Sequence, residues 1–250
     1  MKLFFYWVLL CISVCFSTIV SADIYIDAVG DENRSKKDKA VDDRRKPVDV
    51  MRFFEIKPKM KVLDVFAGGG YYSELLSSVV GKDGKVTLYN NEPWDKFVAK
   101  SLEERLKDNR LPNVEHLVVA PESLIDRTEK YDAAIFILGM HDIYYADPKT
   151  GWVTIDKRKF LKGIYHSLND GAVLGVIDAN AETGVDNEKV GKDLHRVDPA
   201  VMIKDIIAAG FELEATSDIL SNPDDDKVSS VFLPKNRYNT DRSVLKFRKK

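Results

Sequence analysis

Short apolar runs and longer segments with helical periodicity alternate along most of the chain. The apolar runs are rich in β-branched and aromatic residues, and Gly, Asn, Asp or Pro residues bound them. They predict strands at residues 61–66, 86–90, 114–119, 131–138, 172–177, 211–217 and 243–248. Apolar stripes predict helices at residues 71–80, 94–107, 156–168 and 199–209, and a further helix that begins at Pro47.

This alternation indicates an α/β fold, with a mostly parallel sheet covered by helices on both faces. Residues 131–138 are apolar throughout, which is typical of a central strand. In the helix at residues 94–107, Phe97, Val98 and Leu102 are expected to face inward. The length suits one domain with a sizeable core.

The first residues have the layout of a secretory signal. Lys2 precedes an apolar run, and Val20-Ser21-Ala22 is a small-residue cleavage site. The pattern predicts a signal peptide at residues 1–22 and a periplasmic or secreted protein that keeps no membrane anchor after cleavage. An uncleaved anchor is the alternative, but the apolar stretch is short for a membrane span.

Composition narrows the possible chemistry. Both cysteines, Cys11 and Cys15, lie in the predicted signal, so the processed chain would contain no thiol. Disulfide scaffolds, thiolate zinc sites and cysteine nucleophiles are thereby excluded. The formal charge is −2, with both signs interspersed, so no nucleic-acid partner is predicted. Residues 23–45 form a charged N-terminal arm, which is either a solvated leader or a lid over a site.

The most informative segment joins the first strand to a helix. Asp64 lies near the end of the strand, and Gly68, Gly69 and Gly70 follow before the helix begins at Tyr71. Glycines allow a tight turn and a close approach of the backbone to a ligand. Backbone N–H groups at the helix N-terminus then face the crevice at the carboxyl end of the strand. Glycines that merely close the turn are the alternative.

The spacing of this segment resembles the first motif of class I S-adenosylmethionine-dependent methyltransferases. Asp64 precedes Gly68 by four residues and Gly70 by six, whereas Phe66 stands where that family usually has its first glycine. The chain looks most like an exported branch of predicted methyltransferases. Further stretches that carry this resemblance are residues 53–58, 195–198 and 240–247. The resemblance implies a Rossmann-like, doubly wound, seven-stranded sheet with an antiparallel last strand, in a domain spanning residues 46–250.

The resemblance also implies S-adenosylmethionine as cofactor, with its methionine part near Asp64 and the glycines. Asn90 stands where the family has an acid for the ribose hydroxyls, and Glu92 is a substitute one turn later. Glu122 would lie near the adenine, although a carboxylate at a helix start explains it equally well. The implied cofactor-binding residues are Asp64, Ala67, Gly68, Gly69, Gly70, Tyr72, Asn90, Glu92 and Glu122.

In such a fold, the loop after the fourth strand lies against the acceptor. His141 is the candidate general base, because imidazole titrates near neutrality, and His195 is a second candidate. For His141, a hydrogen bond to a loop backbone is an equally simple explanation. The substrate-binding candidates are Asp142, Tyr144, Tyr145 and Arg196.

The oxygen-bearing residues Asp142, Asp178 and Asn180 suggest magnesium, but their spacing does not match the metal-dependent methyltransferases, and no metal is predicted. We therefore expect a methyltransferase acting on an unidentified acceptor, with a small molecule favoured. The alternative is an exported methyltransferase-fold binding protein without transfer activity. The altered residues Phe66 and Asn90 would permit that alternative. The glycine spacing disfavours a nicotinamide oxidoreductase.

Overall fold

The computed structural model describes residues 23–250, so the predicted signal peptide lies outside the described residues. Within 23–250, no helix is long and apolar enough to cross a membrane.

Seven strands form one sheet in the order β3-β2-β1-β4-β5-β7-β6. The first five run parallel, and β7 is antiparallel to both of its neighbours. This confirms the α/β sheet that the sequence predicts. The strands are β1 Lys61–Val65, β2 Lys85–Asn90, β3 Val114–Val118, β4 Tyr131–Ile137, β5 Leu168–Ala179, β6 Phe211–Ser217 and β7 Arg242–Lys249.

Nine α-helices are described, and the longest is α6, which follows β2. Several begin where the sequence offers a cap; for example, Asp198 accepts a hydrogen bond from the backbone N–H of Ala200. The helices are α1 Ile24–Gly30, α2 Lys36–Lys39, α3 Asp42–Arg45, α4 Pro47–Phe53, α5 Tyr71–Val80, α6 Glu92–Leu106, α7 Lys157–Ser167, α8 Asn187–Leu194 and α9 Pro199–Ala208.

Apolar side chains pack on both faces of the sheet. On one face, α7 and α9 cover the sheet, and the buried Phe66 ring stacks on Phe160 with centroids 5.2 Å apart. On the other face, α4 and α5 cover it, and Phe54 lies directly against Gly175 of β5. Phe66 therefore has a structural role, because it anchors the turn after β1 in the core.

The charged segment 23–45 is packed onto the domain. Ala28 of α1 is buried in the core beside α4 and α5. Asp42 accepts two hydrogen bonds from Arg34 and one, at 2.5 Å, from the hydroxyl of Tyr71. The segment thus covers the N-terminus of α5, the helix that follows the glycines.

Some local expectations are wrong. Phe97 does not face inward, because its side chain is 83% exposed, and Leu102 is the only buried residue of α6. β5 begins at Leu168, whereas the sequence predicts this strand from residue 172, and α8 follows it where no helix is predicted. Short polar helices lack the long apolar stripe that reveals a helix in sequence.

Candidate functional site

Asp64 is buried at the carboxyl end of β1. Its Oδ2 accepts a hydrogen bond of 2.6 Å from the hydroxyl of Ser73 in α5. Burial raises the pKa of Asp64 to about 7, and the hydrogen bond from Ser73 offsets only part of this effect. A carboxylate that is costly to bury, at the edge of the sheet where ligands bind in this architecture, indicates a functional site.

The turn after Asp64 requires left-handed backbone at three positions. Phe66, Gly68 and Gly70 have φ angles of 48°, 55° and 76°. Glycine adopts these angles without strain, whereas Phe66 costs about 1–3 kcal/mol. The aromatic packing described above holds Phe66 in this conformation.

Helix α6 lies directly over the glycine turn. A Cβ atom at Gly69 would lie 3.1 Å from Cβ of Ser101, and one at Gly70 would lie 2.9 Å from Cδ of Arg105. The indole of Trp94 comes within 4.0 Å of the Cβ position of Gly68. The glycines therefore allow the side chains of α6 to pack closely against the backbone of the turn.

The predicted ribose and adenine contacts are engaged within the protein. Asn90 accepts from the N–H of Gly68 at 2.9 Å and donates to its carbonyl at 3.1 Å. Glu122 accepts from the N–H of Asp156, and Glu92 is exposed, paired only with a lysine on its own helix. Asn90 thus fixes the glycine turn with one accepted and one donated hydrogen bond. A carboxylate could accept the first but could not donate the second.

The two remaining residues of the predicted cofactor set also have internal partners. Ala67 donates its N–H to the carbonyl of Tyr89 at 3.0 Å. Tyr72 is buried under the guanidinium of Arg45, which lies 5.1 Å from the ring centroid.

A second cluster forms where the segment after β4 meets the end of β5. His141 lies in a 3₁₀ turn, Met140–Ile143, and is buried. Its Nδ1 lies 3.0 Å from both carboxylate oxygens of Asp178, which also accepts the N–H of His141 at 2.9 Å. The opposite ring atom, Nε2, lies 3.2 Å from Nδ1 of His195 and 3.3 Å from Oδ1 of Asp142. The structure therefore brings together the two predicted catalytic histidines.

The pKa values of the two histidines are shifted in opposite directions. Burial lowers the pKa of His141, but the carboxylates of Asp142 and Asp178 outweigh it and raise the pKa to about 9. Burial and the nearby His141 lower the pKa of His195 to about 4. These two carboxylates therefore favour the protonated ring of His141. The general-base role of His141 stays a prediction.

Helix α8 positions His195. The residue ends that helix in the left-handed conformation, with φ 54° and ψ 50°. Gly191 allows α8 to pack closely, since a Cβ there would lie 3.0 Å from the carbonyl oxygen of His141. A non-glycine residue in this conformation costs free energy, and such strain is often found at functional sites.

Asp142 joins this cluster to the glycine turn. Its Oδ2 accepts from Nε1 of Trp94, and its Oδ1 accepts from the hydroxyl of Tyr145, both at 3.0 Å. Trp94 therefore spans the crevice between the turn after β1 and the segment after β4. The sequence did not mark Trp94 as a site residue; its place in the first turn of α6, three residues after the capping residue Asn91, is the signal that would have found it.

Two predicted substrate-binding residues lie outside this cluster. The buried guanidinium of Arg196 makes a bidentate pair with Asp225, at 2.7 and 2.9 Å, and has no free donor edge for an anion. Tyr144 donates its hydroxyl to Asp205 at 3.1 Å. Asn180, considered as a magnesium ligand, instead bonds Asp241.

Comparison with known proteins agrees with this geometry. The sequence profile of the protein-L-isoaspartate(D-aspartate) O-methyltransferase family matches residues 44–137, which run from the end of α3 through β4. The seven-stranded sheet, with this order and its antiparallel β7, is that of the α/β methyltransferase fold. The chain has the class I methyltransferase fold.

Three solved structures show the extent of this likeness. A methyltransferase from Aquifex aeolicus is 19% identical, with a TM-score of 0.56, over 85% of this chain and 97% of the other. A chain from the complex of the Haloferax volcanii Trm112 methyltransferase activator with a methyltransferase is 14% identical, with a TM-score of 0.57, over 92% and 98%.

The third structure is the O-methyltransferase NcsB1 from neocarzinostatin biosynthesis, bound to S-adenosyl-L-homocysteine and 1,4-dihydroxy-2-naphthoic acid. It is 16% identical, with a TM-score of 0.53, over 86% of this chain and 56% of the other. A comparison with curated protein sequences gave no match.

Proposed function

We propose that this protein is an S-adenosylmethionine-dependent methyltransferase that binds its cofactor at the glycine turn. The observation that carries the proposal is the combination of the strand order 3-2-1-4-5-7-6 with an acid and three glycines directly after β1. That turn lies where the sheet order reverses, which is the ligand-binding point of open α/β sheets. Proteins of similar fold bind the cofactor or its demethylated product, as the NcsB1 complex does.

The surroundings of the turn fit the cofactor once α6 moves. Trp94 lies across the crevice, and α6 buries only one residue, Leu102. A cleft of about 210 Å³ separates α6 from β3 and is lined by Leu102 and His116, among others. Little apolar surface is lost when α6 shifts, so the main cost of opening is the loss of the contacts that Arg105 makes with Gly69, Glu74 and Asp38.

A shallow cleft beside the histidine cluster suits the acceptor. It has a volume of about 260 Å³ and is lined by Tyr145, Thr154 and Lys157, among others. Tyr145 connects this cleft to the cluster through its hydrogen bond to Asp142. The size favours a small acceptor. A bound sulfonium supplies an activated methyl group, so holding the acceptor in line contributes much of the rate.

Calorimetry with the purified protein tests the first step. We expect S-adenosylmethionine and S-adenosylhomocysteine to bind with one site per chain, NAD not to bind, and Trp94 fluorescence to change as α6 moves. Asp64→Asn should weaken binding, whereas Asp83→Asn, the same change at an exposed turn, should not. Absence of binding by both sulfur compounds would refute the proposal.

Turnover separates an enzyme from a binding protein. In a screen of small hydroxyl, amine and carboxyl acceptors, an enzyme should produce S-adenosylhomocysteine. The variant His141→Ala should lose turnover and keep cofactor affinity, because His141 lies beyond the glycine turn. Affinity for the cofactor with no turnover for any acceptor would favour the binding protein.

Export remains a prediction from the sequence of residues 1–22. We propose that cleavage occurs before Asp23, and N-terminal sequencing of the protein from its native cells tests this. A native protein that retains Met1 in the cytoplasm would contradict it.

A further inference from the structure

Three potential metal ligands converge behind the acceptor cleft. The ligand atoms of His141, Asp142 and His195 all lie within 4.8 Å of one another. They come from two separate segments, the 3₁₀ turn after β4 and the end of α8, so local sequence does not account for their meeting. We propose that these three side chains bind a divalent transition-metal ion, with zinc as the best match.

Two of the three distances between the ligand atoms match a tetrahedral site. Zinc binds imidazole nitrogen and carboxylate oxygen at about 2.0–2.2 Å, so two ligand atoms at a tetrahedral angle lie about 3.3 Å apart. From Nε2 of His141, the distance to Nδ1 of His195 is 3.2 Å, and the distance to Oδ1 of Asp142 is 3.3 Å.

The surrounding hydrogen bonds hold the ligands in the required states. Asp178 faces Nδ1 of His141 and so leaves the Nε2 lone pair for a metal, as in the carboxylate–histidine pairs of zinc sites. Asp178 itself is held by the backbone N–H groups of His141 and Ala179, at 2.9 and 2.7 Å. Trp94 donates to Oδ2 of Asp142, and Oδ1, which also accepts from Tyr145, faces the histidines.

The two buried carboxylates at the cluster also favour a bound cation. Asp142 and Asp178 are both buried, and no lysine or arginine within residues 23–250 forms an ion pair with either of them. Buried carboxylates require cationic partners, and His141 supplies at most one positive charge for the two. A dication held by Asp142 and the two imidazoles would neutralise both charges.

The ligand number indicates a site that remains open. Three protein ligands with a fourth position for water or substrate oxygen are the arrangement of catalytic zinc, whereas structural sites have four protein ligands. His195 is partly exposed, so one ligand of the site lies near the surface. An acceptor oxygen in the adjoining cleft could take the fourth position.

Zinc titration of the purified, chelator-treated protein tests this inference without any cofactor, so its outcome is independent of the proposed methyl transfer. We expect one Zn²⁺ per chain by calorimetry and elemental analysis, and strong visible absorption when Co²⁺ replaces it. His195→Asn and Asp142→Asn should each weaken binding at least tenfold. Asp178→Asn should weaken it about 10- to 100-fold. His166→Gln, at an exposed histidine of α7, should have no effect.

Two of these variants keep the test decisive if others fail to fold. Asparagine tolerates the left-handed conformation of position 195, and His166 is exposed, so both variants should retain the circular dichroism of the parent. No stoichiometric zinc binding by the parent would overturn the proposal. Zinc binding that is unchanged in both His195→Asn and Asp142→Asn would also overturn it.

Discussion

Replacing Asp64 by asparagine should stabilise the protein at alkaline pH. The pKa of this carboxyl rises from an ordinary 3.8 to about 7 because it is buried. Below pH 4 the group is protonated in both the folded and the unfolded chain, so it contributes no difference. Between pH 4 and 7 only the unfolded chain loses the proton, and folding stability falls as pH rises. A pKa difference of about three units between the folded and unfolded chain lowers the folding stability by about 4 kcal/mol above pH 7.

Asparagine is neutral at every pH and keeps an oxygen that accepts from Ser73. Urea unfolding at several pH values should show Asp64→Asn equal to the parent at pH 4 and more stable by about 4 kcal/mol at pH 8. For a chain of this size the gain corresponds to roughly 8–16 °C in Tm. Ser73→Ala removes the hydrogen bond to the charged form and should lower stability at pH 8.

The reasoning would be refuted by a stability difference that does not change with pH. A variant that is less stable than the parent at pH 8 would refute it as well. Either result would mean that Asp64 is solvated or paired more fully than its burial and its bond to Ser73 indicate.

Three further substitutions test other contacts. Arg196→Ala should destabilise the protein by about 3–5 kcal/mol in urea unfolding, because it leaves the buried Asp225 without its cation; unchanged stability would restore a substrate role for Arg196. Gly175→Ala should cost more than 1 kcal/mol of folding stability, because its methyl group would lie 2.5 Å from the ring of Phe54, directly after α4, and an unchanged Tm would contradict the packing. Trp94→Phe removes the bond to Asp142 and frees α6, so calorimetry should show S-adenosylhomocysteine binding up to about tenfold tighter. Weaker binding would make Trp94 a cofactor contact instead.

The sheet and its principal helices follow from hydrophobic periodicity. The glycine turn was also readable, because an acid near the end of a buried strand is followed by three glycines and then by a helix. Helix α6 shows the limit: Phe97 and Leu102 were both expected to face inward, yet only Leu102 is buried. An amphipathic stripe indicates which residues can be buried. The position of the helix over the sheet decides which of them are buried.

The sequence indicated several residues of the site but not the contacts between them. His141 and His195 were both singled out, although nothing local shows that α8 brings them within 3.2 Å of each other. Arg196 illustrates the opposite error. A guanidinium can pair with an anionic substrate or with a buried carboxylate of the protein. Here it pairs with Asp225, which is 29 residues away along the chain. Long-range pairing of this kind leaves no local pattern.

The hydrogen bond from Trp94 to Asp142 couples the two halves of the proposed site. Opening α6 for the cofactor withdraws Trp94 and leaves Oδ2 of Asp142 without that donor, which strengthens its attraction for a cation at the histidine cluster. Binding at two coupled sites is reciprocal, so zinc should tighten S-adenosylhomocysteine binding by the same factor by which S-adenosylhomocysteine tightens zinc binding. In Trp94→Phe this bond is already absent, and the factor should approach one. A mutual factor that persists in Trp94→Phe would mean that the coupling passes through other contacts between α6 and the cluster.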